Sequence, residues 1–165
     1  LPEVLRTPSG RIELGAPEFL SDLDRLAAAI PELDDRNLVL VGRRHLRSNN
    51  SWMHNVRVLV KGKPRCTLQV HPDDADRYGL RDGAPATVSS QVGSVSAPVE
   101  VTDAILPGVV SLPHGWGHGQ PGTKMAVAAE HAGVNSNLLS DHRALDPLSG
   151  TSVLNGIPVT VGPAG

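Results

Sequence analysis

The sequence is poor in cysteine and in aromatic residues: of its 165 residues, one is Cys and four are Phe, Tyr or Trp. A single cysteine excludes an internal disulfide, and the alternating run CTLQV around Cys66 indicates a small buried side chain. No apolar run approaches the roughly 20 residues that a helix needs to cross a membrane. A formal net charge of −2 argues against a general nucleic-acid-binding domain, which usually has an excess of Lys and Arg.

Acidic residues are absent from residues 36–72, although the whole chain has 17 of them. The same window contains eight of the fifteen Lys and Arg residues, so we expect it to attract an anion. Much of this charge lies in VGRRHLRSNNSWMHN, residues 41–55, where Arg, Ser and Asn provide the donors that a phosphate group accepts. A solvated basic surface is the alternative interpretation.

Hydrophobic periodicity predicts a helical start followed by short strands. One helix is predicted from Pro17 to Ile30, because Pro17 suits a first turn and Pro31 ends the pattern. A second, short helix is predicted in HPDDADRYGL, between Pro72 and Gly79. Strands are predicted in NLVLVG, VRVLV, CTLQV, residues 84–88, residues 95–101, ILPGVVSL and IPVTV. Short strands at this spacing indicate a barrel or a sandwich.

Residues 113–156 have little periodicity and are rich in Gly, His, Asn and Ser, which is typical of a functional or disordered loop. His114 and His118 in HGWGHGQPG suggest metal ligands, but the glycines exclude the helix that would hold both rings on one face. Those glycines instead permit close approach of the backbone to a ligand. Trp52 lies within residues 41–55 and Trp116 within residues 113–156. In such loops a tryptophan ring can line a pocket for a heterocycle or simply pack in the core.

Catalytic motifs are missing from the sequence: it contains no nucleophile elbow, no P-loop lysine motif, no GxGxxG and no Cys cluster. We therefore predict no catalytic residue and no metal ligand in this chain.

Several segments, in order, resemble the C-terminal molybdopterin dinucleotide-binding domain of the dimethyl sulfoxide reductase class, which includes formate dehydrogenases and nitrate reductases. They are TPSGRIEL, VGRRHLRSNNSWMHN, VHPDDADRYGLRDGAPATVSS, GSVSAPVEVTDAILPGVVSLPHGWG, NLLSDHRALDPLSGTSVL and the final VTV. The resemblance implies a mainly β fold, a double-psi β-barrel with short peripheral helices and a long irregular cofactor loop. Residues 1–35 would form a lead-in segment with a helix, and residues 36–165 the molybdopterin dinucleotide-binding barrel domain.

The same resemblance implies the cofactor, molybdopterin guanine dinucleotide, with molybdenum or tungsten in the parent enzyme. It implies that an iron–sulfur cluster, if the parent has one, belongs to an upstream domain and not to this chain. Val41 departs from the family, which often has Thr there, and so removes a hydroxyl group. The implied cofactor-binding residues are Gly42, Arg43, His45, Ser48, His114, Gly115, Trp116, Asn137 and Asp141.

We therefore expect a C-terminal domain that holds this cofactor in a formate dehydrogenase-like or nitrate reductase-like oxidoreductase, and that is inactive alone. Its partners would be the preceding domains of the same chain and the anionic cofactor, without nucleic acid and without a membrane span. The parent is expected in the cytoplasm, with the periplasm as the alternative. The alternative function is a non-enzymatic double-psi barrel that recognises a peptide or protein partner. The cofactor hypothesis requires that the arginine-rich and glycine-rich loops leave the barrel at the same end.

Overall fold

Six short strands form a closed barrel in the computed structural model, which describes residues 4–29 and 37–165. Around the barrel the strands follow the order β1-β5-β2-β4-β3-β6. Their bounds are β1 (Leu38–Arg43), β2 (Leu68–Val70), β3 (Pro85–Ser89), β4 (Ser94–Val101), β5 (Val109–Pro113) and β6 (Ile157–Pro163). The prediction of a mainly β barrel is confirmed.

Two pairs of neighbouring strands are parallel, and the other pairs are antiparallel. β1 runs parallel to β5, and β2 runs parallel to β4. The antiparallel pairs β1–β6, β2–β5, β3–β4 and β3–β6 complete the barrel. Parallel neighbours need crossover connections, and this closed barrel of mixed parallel and antiparallel strands agrees with the predicted double-psi β-barrel.

The barrel interior is filled by Leu, Val and Ala, which is how a chain with four aromatic residues builds its core. Successive side chains of a strand point to opposite faces, and β4 follows this rule closely. In β4, Val95, Ala97 and Val99 are buried between exposed or half-buried neighbours. Leu68 and Val70 of β2 are fully buried. Small aliphatic side chains suit the narrow interior of a six-stranded barrel.

Short helices surround the barrel. The predicted helix after β2 is confirmed as α4 (Pro72–Arg77), where the His71 ring accepts a hydrogen bond from the Asp73 N–H and Gly79 adopts φ +65° just beyond the end. Further short helices are α3 (Arg57–Val60), α5 (Ala126–Ala129) and a 3-10 helix at Ser136–Leu139. Among the described residues, none of the helices has the length and hydrophobicity to cross a bilayer.

The predicted helix at residues 17–30 is instead two helices, α1 (Pro17–Ser21) and α2 (Leu23–Ala29). Asp22 lies between them, and its carboxylate accepts hydrogen bonds from the Arg25 guanidinium. The side chains of Phe19, Leu20 and Leu23 are more than half exposed, so tertiary packing does not hold one continuous helix. Ile30 and the predicted domain boundary at residue 35 lie outside the described residues.

The strand predicted in VRVLV is wrong, because this segment forms α3. The Val60 and Lys61 N–H groups donate to the carbonyls of Val56 and Arg57, which closes a single helical turn. Val60 is buried, whereas Val56 and Val58 are exposed. A short apolar run fits a strand and a helical turn equally well, so its periodicity could not decide between them.

Candidate functional site

The two loops that follow β1 and β5 leave the barrel at the same end. Arg43 ends β1 and lies opposite Pro113, which ends β5, because the two strands are parallel neighbours. Just beyond, the His114 N–H donates a hydrogen bond to the Arg43 carbonyl over 3.4 Å. We call residues 44–56 loop 1 and residues 114–125 loop 2. The geometric requirement of the cofactor hypothesis is therefore met.

Loop 1 and loop 2 touch at Gly115. Its φ is +85°, and a Cβ built there would overlap the Asn50 carbonyl oxygen, so only glycine fits both the backbone conformation and the contact. On the other side, Asn49 and Asn50 adopt φ of 42° and 63°, a region that Asn tolerates better than most residues. The two loops therefore form one continuous structure above the barrel.

A small cleft of about 170 Å³ lies between the ends of β1 and β5 and the segments that precede β6. Its lining residues other than the aliphatic ones carry N–H or O–H groups, although the Gly42 N–H and the Arg43 guanidinium already donate hydrogen bonds within the protein. These lining residues are Gly42, Arg43, Arg44, His114, Ser136, Ser140 and Asn155. Among the described residues that line this cleft there is no Asp or Glu. Such a lining suits a ligand with negatively charged oxygen atoms.

Asn155 is a residue of this cleft that sequence reasoning missed. Its Oδ1 accepts a hydrogen bond from the Gly42 N–H over 2.7 Å, which joins the end of β1 to the turn before β6. The Asn–Gly pair at residues 155–156 is a turn signal, and nothing local connects it to a residue 113 positions earlier. Ser136 was missed for the same reason. Ser140 lies in the segment NLLSDHRALDPLSGTSVL, of which only Asn137 and Asp141 were assigned to the site.

Arg43 directs its guanidinium away from this cleft and into the protein. Nη1 donates to the Ser111 carbonyl over 2.7 Å, and Nη2 donates to the carbonyl and hydroxyl of Thr67 over 2.9 and 2.8 Å. Burial lowers the pKa of this guanidinium, and the Glu100 carboxylate at 3.8 Å opposes that effect. Arg43 therefore joins β1 to β5 and to the segment before β2.

Arg44 is the exposed arginine at the small cleft, where its guanidinium donates to Asn50 Oδ1. The predicted site included Arg43 and omitted Arg44. Side chains alternate along a strand, so two adjacent arginines at a strand end point to opposite faces. That alternation was the signal that could have separated them.

A larger, more open cleft of about 710 Å³ lies on the other side of Arg43. Its charged lining includes His45, Lys63 and Arg65, together with the carboxylates of Asp82 and Glu100. Burial lowers the pKa of His45, and the nearby Arg65, Arg43 and Arg47 act in the same direction. His45 is thus separated from the small cleft that Gly42 and His114 line, although all three were predicted to share one site.

Ser48 of loop 1 and Trp116 of loop 2 have buried side chains, which are 3% and 8% exposed. The Ser48 hydroxyl contacts His54 Nε2 over 2.9 Å, and the Trp116 ring stacks on the His54 ring with 3.9 Å between centroids. Within the described part of the chain, Trp116 Nε1 has no hydrogen-bond partner. Neither residue is among those that line the small cleft.

Asn137 and Asp141, the last two predicted residues, lie at different cavities. Asn137 lies in the 3-10 helix beside the small cleft, and its N–H donates to Asn135 Oδ1 over 3.1 Å. The Asp141 carboxylate accepts hydrogen bonds from Arg143, which lowers its pKa, and it lines a separate cavity of about 230 Å³. Among the described residues, no three His, Cys, Asp or Glu side chains are grouped to hold a metal ion.

The residues from 38 to 158 match the model of a protein family described as "Molydopterin dinucleotide binding domain". The chain belongs to this family. The match begins at the first residue of β1 and ends within β6, so this molybdopterin dinucleotide-binding domain includes the barrel, both loops and the small cleft. Family membership supports the cofactor-binding prediction and does not support the alternative of a peptide-recognition module.

The curated relatives of this domain are much longer proteins. A tetrathionate reductase of Salmonella typhimurium is 28% identical over 121 residues, which cover 60% of this chain and 11% of that protein. An arsenate respiratory reductase of Chrysiogenes arsenatis, in its molybdopterin-containing polypeptide, is 26% identical over 123 residues, which cover 70% and 14%. The putative dimethyl sulfoxide reductase chain YnfE of Escherichia coli is 30% identical over 133 residues, which cover 69% and 16%. The chain spans less than a fifth of each.

A solved structure shares the fold of this domain. Acetylene hydratase from Pelobacter acetylenicus superposes with a TM-score of 0.65 at 23% sequence identity, over 88% of this chain and 20% of that one. At this identity the likeness concerns the fold alone.

Proposed function

We propose that this domain holds the guanine dinucleotide form of molybdopterin, with molybdenum or tungsten, in a larger oxidoreductase. One observation carries the proposal: the parallel pairing of β1 with β5 brings two donor-bearing loops to one end of the barrel. Family membership supports the molybdopterin dinucleotide, and the names of the curated relatives, which are reductases, support the oxidoreductase.

The residues of the small cleft fit part of such a cofactor. A desolvated pyrophosphate needs donors on several sides and no neighbouring carboxylate, and the lining described above meets both needs. A volume of about 170 Å³ is well below the roughly 300–1,000 Å³ of ordinary ligand pockets. The domain would therefore contact part of the dinucleotide, and preceding domains of the same chain would contact the rest.

Within the cleft, Arg44 would supply the positive charge, and the Ser136 and Ser140 hydroxyls and the His114 ring would supply further donors. Gly42 would allow close approach of the backbone, and Asn155 would fix its N–H group. Arg43, Ser48 and Trp116 would act from beneath, by fixing the backbone and loops, whereas Asn137 would border the cleft. His45 and Asp141, which face other cavities, would contact the dinucleotide only where it extends beyond the small cleft.

The bound cofactor would supply the redox chemistry at its metal, and this chain would bind and orient it. The domain alone would then be inactive, and any iron–sulfur cluster would belong to the preceding domains. Residues 1–35 would lead into the barrel domain of residues 36–165. We propose a cytoplasmic parent, with the periplasm as the alternative, since a single buried cysteine suits a reducing compartment.

The test uses the full-length parent protein with Arg44→Gln in this domain. Metal is measured by mass spectrometry, and pterin and guanine nucleotide are measured after acid release. Loss of a charge-assisted hydrogen bond worth roughly 1.5–3 kcal/mol should lower the affinity for the cofactor at least tenfold, and with it the cofactor content. Arg57→Gln is the matched control, because Arg57 is exposed and pairs with Glu130 on the surface.

The proposal is contradicted if the wild-type parent contains neither pterin nor guanine nucleotide. It is also contradicted if Arg44→Gln and Arg57→Gln retain the same content. Loss of pterin from Arg44→Gln with normal folding, seen by circular dichroism, supports it.

A further inference from the structure

A buried chain of polar side chains crosses from loop 1 to loop 2. Ser48 and His54 of loop 1 are 3% and 1% exposed, and His118 of loop 2 is 8% exposed. His54 Nε2 lies 2.9 Å from the Ser48 hydroxyl, and His54 Nδ1 lies 2.8 Å from His118 Nε2. The Trp116 ring of loop 2 stacks on His54. Hydrogen bonding and stacking therefore converge on one imidazole, and both interactions link the two loops.

When both imidazole rings are neutral, each of the two contacts of His54 can have one donor and one acceptor. In one arrangement, the Ser48 hydroxyl donates to His54 Nε2, and the His54 Nδ1–H donates to His118 Nε2. If both rings were protonated, two N–H groups would face each other across 2.8 Å, and neither could accept. The contact therefore requires that at least one ring stays neutral.

The surroundings favour the neutral form of both rings. Burial is the main cause that lowers the pKa of His54 to about 4, and the charge of Arg65 and the charges that His118 and His45 carry when protonated act in the same direction. Burial also lowers the pKa of His118. A backbone hydrogen bond with Gly115 opposes both shifts. Two further groups act on the pair from loop 1 and from the segment with Arg65: they are His45 and Arg65. In the described part of the chain, no carboxylate is among the groups that shift the pKa of either ring.

We infer that His54 and His118 are positioning residues that hold loop 2 against loop 1 while their rings are neutral, and that protonation of the pair releases loop 2. His114, which lines the small cleft, precedes His118 by four residues in the same loop, so release would reshape the cleft. The consequence for cofactor binding rests on the proposed function above. The connection between the loops does not.

The direction of the pH dependence follows from the shifts. Both imidazoles have a folded-state pKa below the ordinary value of about 6.5, so the unfolded or released state binds more protons. The contact is therefore at full strength above about pH 6.5 and weakens as pH falls from there towards about 4.

Trp116 provides a direct readout of the pair, because a protonated imidazole stacked on an indole quenches its fluorescence. Trp52→Phe removes the other tryptophan, which is 81% exposed and lies outside the buried chain of polar side chains. In that background, the emission of the 165-residue chain should change between pH 6.5 and 4, with the midpoint nearer 4, because protonated His54 quenches a stacked Trp116 and release of loop 2 exposes the indole to water. Fluorescence that stays constant over this interval, in a chain that remains folded, would overturn the inference.

Amide hydrogen exchange at pH 7 tests the connection itself. His118→Ala leaves His54 Nδ1 without its partner, and we expect exchange in loops 1 and 2 to accelerate by roughly ten- to a hundredfold, with the strands unchanged. His118→Gln can still hydrogen bond to His54 but cannot titrate, so the loops should remain protected at pH 7. His131→Gln, on an exposed histidine of the segment after α5, is the matched control and should not change exchange.

Equal exchange in His118→Ala and wild type would contradict the inference. If His118→Ala fails to fold, the Trp116 titration of the Trp52→Phe chain still decides it. Neither measurement involves the cofactor, so failure of the proposed function and failure of this inference give different results.

Discussion

The barrel interior and the junction of the two loops are both buried, yet they are built from opposite kinds of side chain. Leu, Val and Ala fill the barrel, whereas Ser48, His54 and His118 fill the junction beside Trp116. Aliphatic packing depends on volume and not on direction, while each buried polar atom needs a partner in the correct place. We therefore expect the barrel to determine the stability of the domain and the junction to determine the shape of the cleft.

Leu68→Ala should produce the largest loss of stability, because this side chain is fully buried in β2. A Leu→Ala change in a core costs about 2–5 kcal/mol through lost burial and the remaining cavity. The free energy of unfolding is measured by urea denaturation. Leu46→Ala is the control, since Leu46 of loop 1 is 93% exposed and should change stability by no more than about 0.5 kcal/mol. Equal losses would abolish the distinction between barrel and loops.

Gly115→Ala should come next, because it combines an unfavourable φ with an overlap with the Asn50 carbonyl. Gly122→Ala is the matched control: Gly122 also has a positive φ of 88°, but a Cβ there meets nothing within 4 Å. Because the cost of a positive φ is common to both variants, Gly115→Ala should cost roughly 1–3 kcal/mol more than Gly122→Ala, the size of an overpacked contact. Thermal unfolding of the two variants measures this difference. If they unfold at the same temperature, the loops are not in close contact.

Arg43→Gln should lower the stability of the domain, whereas Arg44→Gln should lower its cofactor content. The expected loss of stability is smaller than that of Leu68→Ala. Arg43→Gln removes the hydrogen bonds that the guanidinium donates to the Ser111 and Thr67 carbonyls, at a cost of about 1–3 kcal/mol in the free energy of unfolding. Exposed Arg44 should change stability by less than about 0.5 kcal/mol while cofactor content falls. Urea denaturation of both variants is the measurement. A larger loss of stability in Arg44→Gln would reverse the assignment of the two arginines.

Local sequence signals predicted most of the barrel correctly. The alternation in residues 95–101 matches the buried and exposed positions of β4, and the Pro and Gly signals match both ends of α4. The prediction failed where a short apolar run had no periodicity to decide it, as in α3. It also failed at residues 17–30, where exposed leucines form no packed face that could hold one helix.

The candidate site was predicted less completely than the fold. Of the residues predicted to bind the cofactor, Gly42 and His114 line the small cleft, and Asn137 borders it. Arg44, Asn155, Ser136 and Ser140 were absent from the prediction, since nothing in their immediate neighbours shows which residues the barrel brings beside them. His118 drew attention in the sequence as a candidate metal ligand, whereas the structure pairs it with His54.

By itself, the sequence determined that small aliphatic residues alternate into strands and that two loops are rich in donors and free of acid, because periodicity and composition are local properties. Tertiary structure alone decided that the loops share one end of the barrel, that Arg43 points inward while Arg44 remains exposed at the cleft, and that Asn155 meets Gly42. The physical reason is barrel closure: it joins segments that are distant in sequence, and one residue along a strand is enough to reverse the face on which a side chain lies.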